Sequence, residues 1–216
     1  MAKLFFRYGA MNSGKSTLLM QVAHNYEERG MRVLVMKPHC DTKGGAEVVS
    51  RLGVRRAVDC IITESADCRV ILHEQLSSGK VDCILVDEAQ FLTPTQVDQL
   101  FAIAIDDNIP VLCYGLRTDF RGQGFPGSQR LLLLAHALEE LKTICHCGRK
   151  AVMNVRKLRG QVIFEGDQVA IDGEEQIEYE SFCGQCYFQA RRAAGLAPLD
   201  GLLSPGAAAD ETTSNA

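Results

Sequence analysis

Apolar and polar positions change their spacing in a regular order along the first two thirds of the chain. Short apolar runs predict four strands, at Leu4–Tyr8, Arg32–Met36, Val81–Val86 and Ile109–Tyr114. Segments with helical spacing lie between or after them and predict helices at Gly14–Arg29, Ser65–Ser77, Thr93 to about Asp107, and Ser128–Leu141. Because strand and helix alternate, the pattern predicts an α/β fold with a parallel sheet flanked by helices.

Three stretches do not follow this alternation. Asp41–Asp59 carries Gly, Lys and Arg with weak periodicity, so we expect an irregular loop there. Beyond about Lys142 short strand-like pieces occur at Val152–Arg156 and Val162–Phe164, and a closing helix is expected at Cys186–Ala194. The last residues are rich in Ala, Ser, Thr, Gly and Pro, which is typical of disorder. We therefore divide the chain into a P-loop α/β domain (1–142), a small second domain (143–194) and a disordered tail (195–216).

Composition narrows the classes of function. The 216 residues are 46% hydrophobic and 23% charged, with a formal net charge of -4. An acidic chain gives no electrostatic reason to expect nucleic-acid or anionic-membrane binding. Apolar runs such as Leu131–Ala135 are too short to span a membrane, and no signal-peptide pattern opens the sequence. We expect a cytoplasmic protein.

A phosphate-binding motif follows the first predicted strand. Gly9-Ala10-Met11-Asn12-Ser13-Gly14-Lys15-Ser16 matches G-x-x-x-x-G-K-[ST] at every fixed position. Its backbone N–H groups and the following helix N-terminus can surround an anion. Lys15 is expected to reach the β- and γ-phosphates of ATP, and the Ser16 hydroxyl to bind Mg²⁺.

Two carboxylates close the apolar strand at Val81–Val86. Asp87 stands where a Walker B residue holds Mg²⁺, directly or through water. Glu88 is expected to point elsewhere, because neighbouring side chains of an extended segment face different directions. It can serve as a general base for either a water or a substrate hydroxyl, so the sequence leaves open whether the chain is an ATPase or a kinase.

Nine cysteines fall into two groups. Five are scattered singly and are expected to be free thiols, mostly buried: Cys40, Cys60, Cys68, Cys83 and Cys113. The other four form two close pairs, Cys145/Cys147 and Cys183/Cys186, and together offer four thiolates for a closed structural zinc site. His146 is an alternative ligand, although the neighbouring cysteines disfavour it.

These motifs, in this order and spacing, resemble the thymidine kinase family of the cellular type (type II). The resemblance covers about Lys3 to Ala194 and includes the P-loop, Asp87-Glu88-Ala89-Gln90-Phe91, the run from Tyr114 to Phe120, and the paired cysteines. It implies a RecA-like P-loop domain with a small zinc-bound lasso. It also implies transfer of the γ-phosphate of ATP to the 5′-hydroxyl of thymidine or deoxyuridine, with Glu88 as base.

The resemblance also implies particular site residues. The ATP and Mg²⁺ site comprises Gly9–Ser16 with Asp87, Glu88, Ala89 and Gln90. The nucleoside is expected to contact residues in or near a pocket, namely Met11, Phe91, Leu116, Phe120 and Phe125. It is also expected to contact a lid that comprises Val169, Ala170, Ile171, Asp172, Gly173 and Tyr179. The family is usually a homotetramer inhibited by its end product dTTP. Two segments, Asp41–Gly45 and Asp172-Gly173, depart from the family pattern.

Two other functions compete with this one. A nucleic-acid-stimulated ATPase can also carry Asp-Glu-Ala-Gln after a Walker B strand, but a helicase core needs two motor domains and this chain has room for one. A zinc-ribbon interaction module with a regulatory P-loop would leave the aromatic segment Leu116–Phe125 unexplained. A thymidine kinase should phosphorylate thymidine. The motor ATPase should instead hydrolyse ATP when DNA is added, and the interaction module should show no turnover.

Overall fold

The computed structural model describes residues 1–39, 47–168 and 177–196. The strands are β1 Leu4–Tyr8, β2 Val33–Pro38, β3 Glu47–Val49, β4 Arg55–Ala57, β5 Cys60–Ile62, β6 Cys83–Val86, β7 Val111–Gly115, β8 Ala137–Glu140, β9 Thr143–Ile144, β10 Lys150–Ala151, β11 Met153–Leu158, β12 Gln161–Ile163 and β13 Ile177–Phe182. The helices are α1 Lys15–Glu27, α2 Cys68–Ser77, α3 Pro94–Asp106, α4 Pro126–Leu134 and α5 Gly184–Ala193, and a 3₁₀ turn covers Ala89–Phe91.

Six strands form the central sheet, in the order β5-β2-β6-β7-β1-β8. All neighbouring pairs are parallel. The middle strand β6 is buried along its whole length, with Ile84 and Val86 in the core beneath α2–α4 and Cys83 and Leu85 in the core beneath α1. The prediction of an α/β fold with a helix-flanked parallel sheet is therefore confirmed.

Local signals fix where two helices begin. Helix α3 has the predicted capping box, in which Thr93 and Gln96 exchange side-chain to backbone hydrogen bonds and Pro94 opens the helix. Helix α2 begins at Cys68, three residues later than predicted, because the Asp67 carboxylate accepts hydrogen bonds from Arg69 N and Val70 N. No helix in the described residues has the length and apolar character that a membrane crossing requires.

A small second unit packs beside the sheet. It contains the ribbon β9–β10, the antiparallel sheet β12-β11-β13 and α5. Its separate core includes Val155, Phe164 and Tyr187 together with three of the paired cysteines. Strand β13 was not predicted, since Ile177–Phe182 carries two glutamates and a serine among its six residues. It forms by pairing with β11, which the local sequence does not indicate.

Two sequence expectations are wrong in part. The helix expected at Ser128–Leu141 ends at Leu134, and Ala137–Glu140 instead pairs with β1 as an edge strand, where Leu138 remains 47% exposed. The loop expected at Asp41–Asp59 contains the antiparallel pair β3–β4, anchored by the fully buried Val48. Strand β5 was also missed, because its three residues are too few to show a period.

Several expectations lie outside the described residues. These are the free thiol expected at Cys40, the Asp41–Gly45 segment, the five lid residues Val169–Gly173, and all but the first two residues of the tail.

Candidate active site

Three loops meet at one edge of the central sheet. The Gly9–Ser16 loop follows β1, Asp87 follows β6, and Leu116 follows β7. Because these strands are parallel neighbours, their carboxyl ends lie at the same edge, where α/β folds bind ligands.

The Gly9–Ser16 loop has the backbone shape of a phosphate cradle. Asn12 and Gly14 take left-handed conformations, with φ of 65° and 78°. A Cβ at Gly9 would lie 2.5 Å from the Leu141 carbonyl oxygen, so only glycine fits there. Lys15 Nζ folds over the loop and donates to the Ala10 carbonyl at 3.0 Å. Burial lowers the pKa of Lys15, while the charges of Glu88 and Asp87 oppose that shift.

The two expected Mg²⁺ ligands lie together. Ser16 Oγ is 3.4 Å from Asp87 Oδ2. Asp87 is 4% exposed, and burial followed by repulsion from Glu88 raises its pKa to about 7, against the attraction of Lys37 and Lys15. A hydroxyl beside a buried carboxylate, with both oxygens facing a phosphate cradle, fits the oxygen preference of Mg²⁺.

Glu88 sits in an unusual backbone conformation at the start of the 3₁₀ turn. Its φ is 50°, which is uncommon for a residue with a side chain. Gln90 Nε2 donates to Glu88 Oε2 at 2.5 Å, and Gln90 Oε1 accepts from Leu116 N at 3.0 Å. Gln90 is 1% exposed. The side chain that was assigned to the ATP site therefore links Glu88 to the loop after β7.

Two glycines allow this turn to pack closely. A Cβ on Gly115 would lie 2.8 Å from Gln90 Oε1. A Cβ on Gly127 would lie 2.6 Å from the carbonyl oxygens of both Ala89 and Leu92. Larger residues at either position would displace the segment that carries Glu88.

The predicted pocket residues adjoin this turn. Phe91 and Phe125 pack edge to face with ring centroids 5.5 Å apart, and Leu116 and Phe120 are buried in the segment between β7 and α4. Tyr179 of β13 accepts a hydrogen bond from Arg156 Nε at 2.9 Å. The described part of the expected nucleoside site is thus brought together from both units of the chain.

Three residues of the second unit at this site were missed by sequence reasoning. Asn154 Oδ1 accepts from Met11 N at 2.8 Å, Ser181 Oγ donates to Met11 O, and the Arg156 guanidinium lies 3.9 Å from the centroid of the Phe120 ring. Asn154 and Arg156 stand at alternate positions of a predicted strand. This spacing of polar residues could have indicated a strand face that contacts the site.

The four paired cysteines converge. Their Sγ atoms all lie within 4.8 Å of one another, and Cys147 Sγ is 3.6 Å from Cys183 Sγ. A tetrahedral zinc with Zn–S bonds of about 2.3 Å separates its sulfurs by about 3.8 Å, so the cluster fits that ion. The pKa of Cys183 is lowered to about 6, chiefly by the hydrogen bond from the Cys186 backbone N–H and to a smaller extent by the neighbouring thiols. The His146 ring packs against Phe182, at 4.8 Å between centroids, and is not one of the four converging groups.

Known proteins similar to this chain agree in one family. A family model described as thymidine kinase matches residues 2–187. A thymidine kinase of Idiomarina loihiensis is 49% identical over 193 residues, covering 88% of this chain and 98% of its own. One of Chromobacterium violaceum is 49% identical, covering 87% and 98%, and one of Legionella pneumophila is 50% identical, covering 89% and 90%. A solved DNA replication initiation factor has 15% identity over 65% of this chain and 40% of its own, with a TM-score of 0.37, which is too low to carry weight.

Proposed function

The chain belongs to the thymidine kinase family, an ATP-dependent group of nucleoside kinases, and from that premise we propose how its residues carry out the reaction. The proposed site holds the ATP phosphates in the Gly9–Ser16 loop with Lys15 against the β- and γ-phosphates. Glu88 acts as general base toward the 5′-hydroxyl of thymidine. The observation that carries this proposal is the convergence of Lys15, Ser16, Asp87 and Glu88 at one sheet edge.

Ser16 and Asp87 are the residues proposed to hold Mg²⁺. The ion would neutralise charge on the β- and γ-phosphates. Binding of a dication favours the ionised form of Asp87, whose pKa burial raises to about 7 in the metal-free protein. Lys15 adds a second positive charge at the transferring phosphoryl group.

Glu88 supplies the proton acceptor. As the 5′-oxygen bonds to the γ-phosphorus, its proton passes to the Glu88 carboxylate, and the bond from the γ-phosphorus to the bridging oxygen of ADP breaks. The products are thymidine 5′-monophosphate and ADP. Gln90 keeps the carboxylate in place through its 2.5 Å hydrogen bond.

The nucleoside is proposed to lie between the aromatic segment and β13. Phe91, Phe125 and Phe120 provide apolar surface, and Tyr179 closes the opposite side with Arg156. Exclusion of water from such a cleft protects ATP from hydrolysis before the alcohol attacks. The proposal also places Met11 near this pocket. The lid at Val169–Gly173, which lies outside the described residues, is proposed to offer backbone hydrogen bonds to the base.

A structural zinc in the four-cysteine cluster is proposed to hold the second unit together. Cys145 and Cys147 border β9–β10, while Cys183 caps α5 and follows β13 directly, so one ion would join both ends of the unit. Closed Cys₄ sites stabilise a fold and perform no chemistry.

Further parts of the proposal concern the whole enzyme. By resemblance to the family, we propose a cytoplasmic homotetramer that is inhibited by dTTP and uses no nucleic acid. Light scattering would check the assembly, and thymidine phosphorylation measured against dTTP concentration would check the inhibition.

Incubation with Mg·ATP and thymidine, followed by chromatography and phosphorus NMR of the product, tests the proposed acceptor. We expect thymidine 5′-monophosphate, a slower or equal reaction with deoxyuridine, and ATP hydrolysis that DNA does not stimulate. Phosphate found on the 3′-oxygen would contradict the proposed orientation, and DNA-stimulated hydrolysis without nucleoside phosphorylation would favour the motor ATPase.

A further inference from the structure

One face of the β11–β13 strand pair contacts both proposed substrate sites. Asn154 lies opposite Ser181 in the strand register, and Arg156 lies opposite Tyr179. Residues two apart on a strand share a face, so these two cross-strand pairs project to the same side about 7 Å apart. We name them the Asn154/Ser181 pair and the Arg156/Tyr179 pair.

The Asn154/Ser181 pair holds one residue of the phosphate loop. Asn154 Oδ1 accepts from Met11 N at 2.8 Å, and Ser181 Oγ donates to Met11 O. Asn154 Nδ2 also donates to Thr118 O at 2.7 Å. Both side chains are buried, at 3% and 4% exposure. Because the Met11 peptide groups are turned to the strand pair, they fix the direction of the loop that continues through the left-handed Asn12.

The Arg156/Tyr179 pair covers the nucleoside pocket. Arg156 is 2% exposed, lies 3.9 Å from the Phe120 ring centroid and donates from Nε to the Tyr179 hydroxyl at 2.9 Å. Tyr187 OH, on α5 of the same unit, donates to the Phe120 carbonyl at 3.0 Å. The pocket wall is therefore attached to the same unit that grips the phosphate loop.

From this arrangement we propose that Asn154 and Ser181 are positioning residues of the phosphate loop, through which thymidine bound beneath Arg156 and Tyr179 strengthens ATP binding. A nucleoside that restricts the motion of the Arg156/Tyr179 pair also restricts the motion of the Asn154/Ser181 pair, since both pairs belong to the same two hydrogen-bonded strands. Met11 then loses less freedom when the triphosphate binds, so the two affinities are coupled. The inference rests on the proposed placement of ATP in the Gly9–Ser16 loop.

Equilibrium titration with Mg²⁺ and β,γ-methylene-ATP, with and without saturating thymidine, measures the coupling without turnover. For the unaltered protein we expect thymidine to tighten binding of the analogue by about 5- to 20-fold. Ser181→Ala removes the hydroxyl that donates to Met11 O and is expected to reduce that factor to about 2-fold or less, with the Kd for thymidine alone within about 2-fold. Ser181→Thr keeps the hydroxyl and should retain most of the coupling.

Ser77→Ala is the matched control, because the Ser77 hydroxyl also donates to a backbone carbonyl, that of Glu74, but on α2. It should leave the coupling factor unchanged. A Ser181→Ala protein that keeps the full coupling factor, or an unaltered protein without coupling, overturns the inference. Failure of the proposed ATP site has a different signature, namely a Lys15→Ala protein that binds the analogue as tightly as the unaltered chain.

Discussion

Gln90 Nε2 donates a 2.5 Å hydrogen bond to Glu88 Oε2, and the same Gln90 amide accepts from Leu116 N. Glu88 has a left-handed backbone conformation, which a residue other than glycine keeps only when its surroundings hold it there. The buried Gln90 provides that support and connects the proposed base to the segment proposed to form the nucleoside pocket.

Gln90→Leu should misplace the carboxylate while leaving both substrates able to bind. A displacement of about 1 Å can cost about 100-fold in rate, so we expect kcat to fall roughly 10- to 100-fold, with KM for thymidine within about 3-fold. Steady-state kinetics would measure both. Gln96→Leu is a matched control, because Gln96 is also a buried glutamine with backbone partners but lies at the start of α3. It should lower stability and keep kcat.

Gly127→Ala should destabilise the turn that carries Glu88. The added methyl would lie 2.6 Å from the Ala89 and Leu92 carbonyl oxygens, and such overpacking costs roughly 1–3 kcal/mol. Urea unfolding would measure the loss. Gly184→Ala is the control, since its Cβ would enter open space and should change the unfolding free energy by less than about 0.5 kcal/mol. Equal stability of the two variants would contradict the described packing.

The residues of the phosphate loop, Asp87, Glu88 and the four cysteines were predictable because each belongs to a short motif whose spacing is itself the signal. The approach of the phosphate loop to Asp87 and Glu88 follows from parallel strands, which the alternation of elements indicates. The motif predicts Gln90 at the ATP site, but a motif gives residue types and not side-chain directions, so it does not predict which protein groups the Gln90 amide contacts. Its bonds to Glu88 and Leu116 depend on the approach of β7 and on the missing Cβ of Gly115.

The missed elements have a common physical origin. Ala137–Glu140 follows a Leu-rich run and reads as helix, but its backbone pairs with β1, far away in sequence. Asn154 and Ser181 were likewise invisible as a pair, since their shared contact with Met11 joins residues more than a hundred positions apart. Short-range patterns carry no information about such pairings.

Asp87→Asn should stabilise the metal-free protein, and more so at alkaline pH. The pKa of Asp87 is raised to about 7 by burial, so the folded state holds a proton that the unfolded chain releases near pH 4. Folding stability therefore falls as pH rises between these values, and the loss is complete above about pH 7.

Thermal or urea unfolding of the Asp87→Asn protein, in magnesium-free buffer without a chelator that would remove zinc, measures this effect. We expect its gain over the unaltered chain to be larger at pH 8.5 than at pH 5.5 by roughly 1–2 kcal/mol. Mg·ATP should then stabilise the unaltered protein far more than the variant. A gain of the same size at pH 8.5 and pH 5.5 would contradict the assignment to Asp87.

Cys183→Ser should remove the bound metal. Metal analysis of the unaltered protein is expected to give about one zinc per chain, and that of the variant close to none. Since Cys183 follows β13 and caps α5, the variant should also melt earlier and bind thymidine more weakly. Cys60→Ser, at a half-buried thiol outside the cluster, should keep the zinc. A full equivalent of zinc in the Cys183→Ser protein would exclude this residue as a ligand.

The most direct test of the proposed chemistry is the single-turnover rate of phosphoryl transfer in Glu88→Gln, measured with saturating Mg·ATP and thymidine. Glutamine preserves the size of the side chain and an oxygen for Gln90 but accepts no proton. We predict a rate lower by about 10²- to 10⁴-fold, with Kd values for both substrates within about 3-fold of the unaltered protein. A transfer rate within about 3-fold of the unaltered enzyme would contradict the role of Glu88 as base.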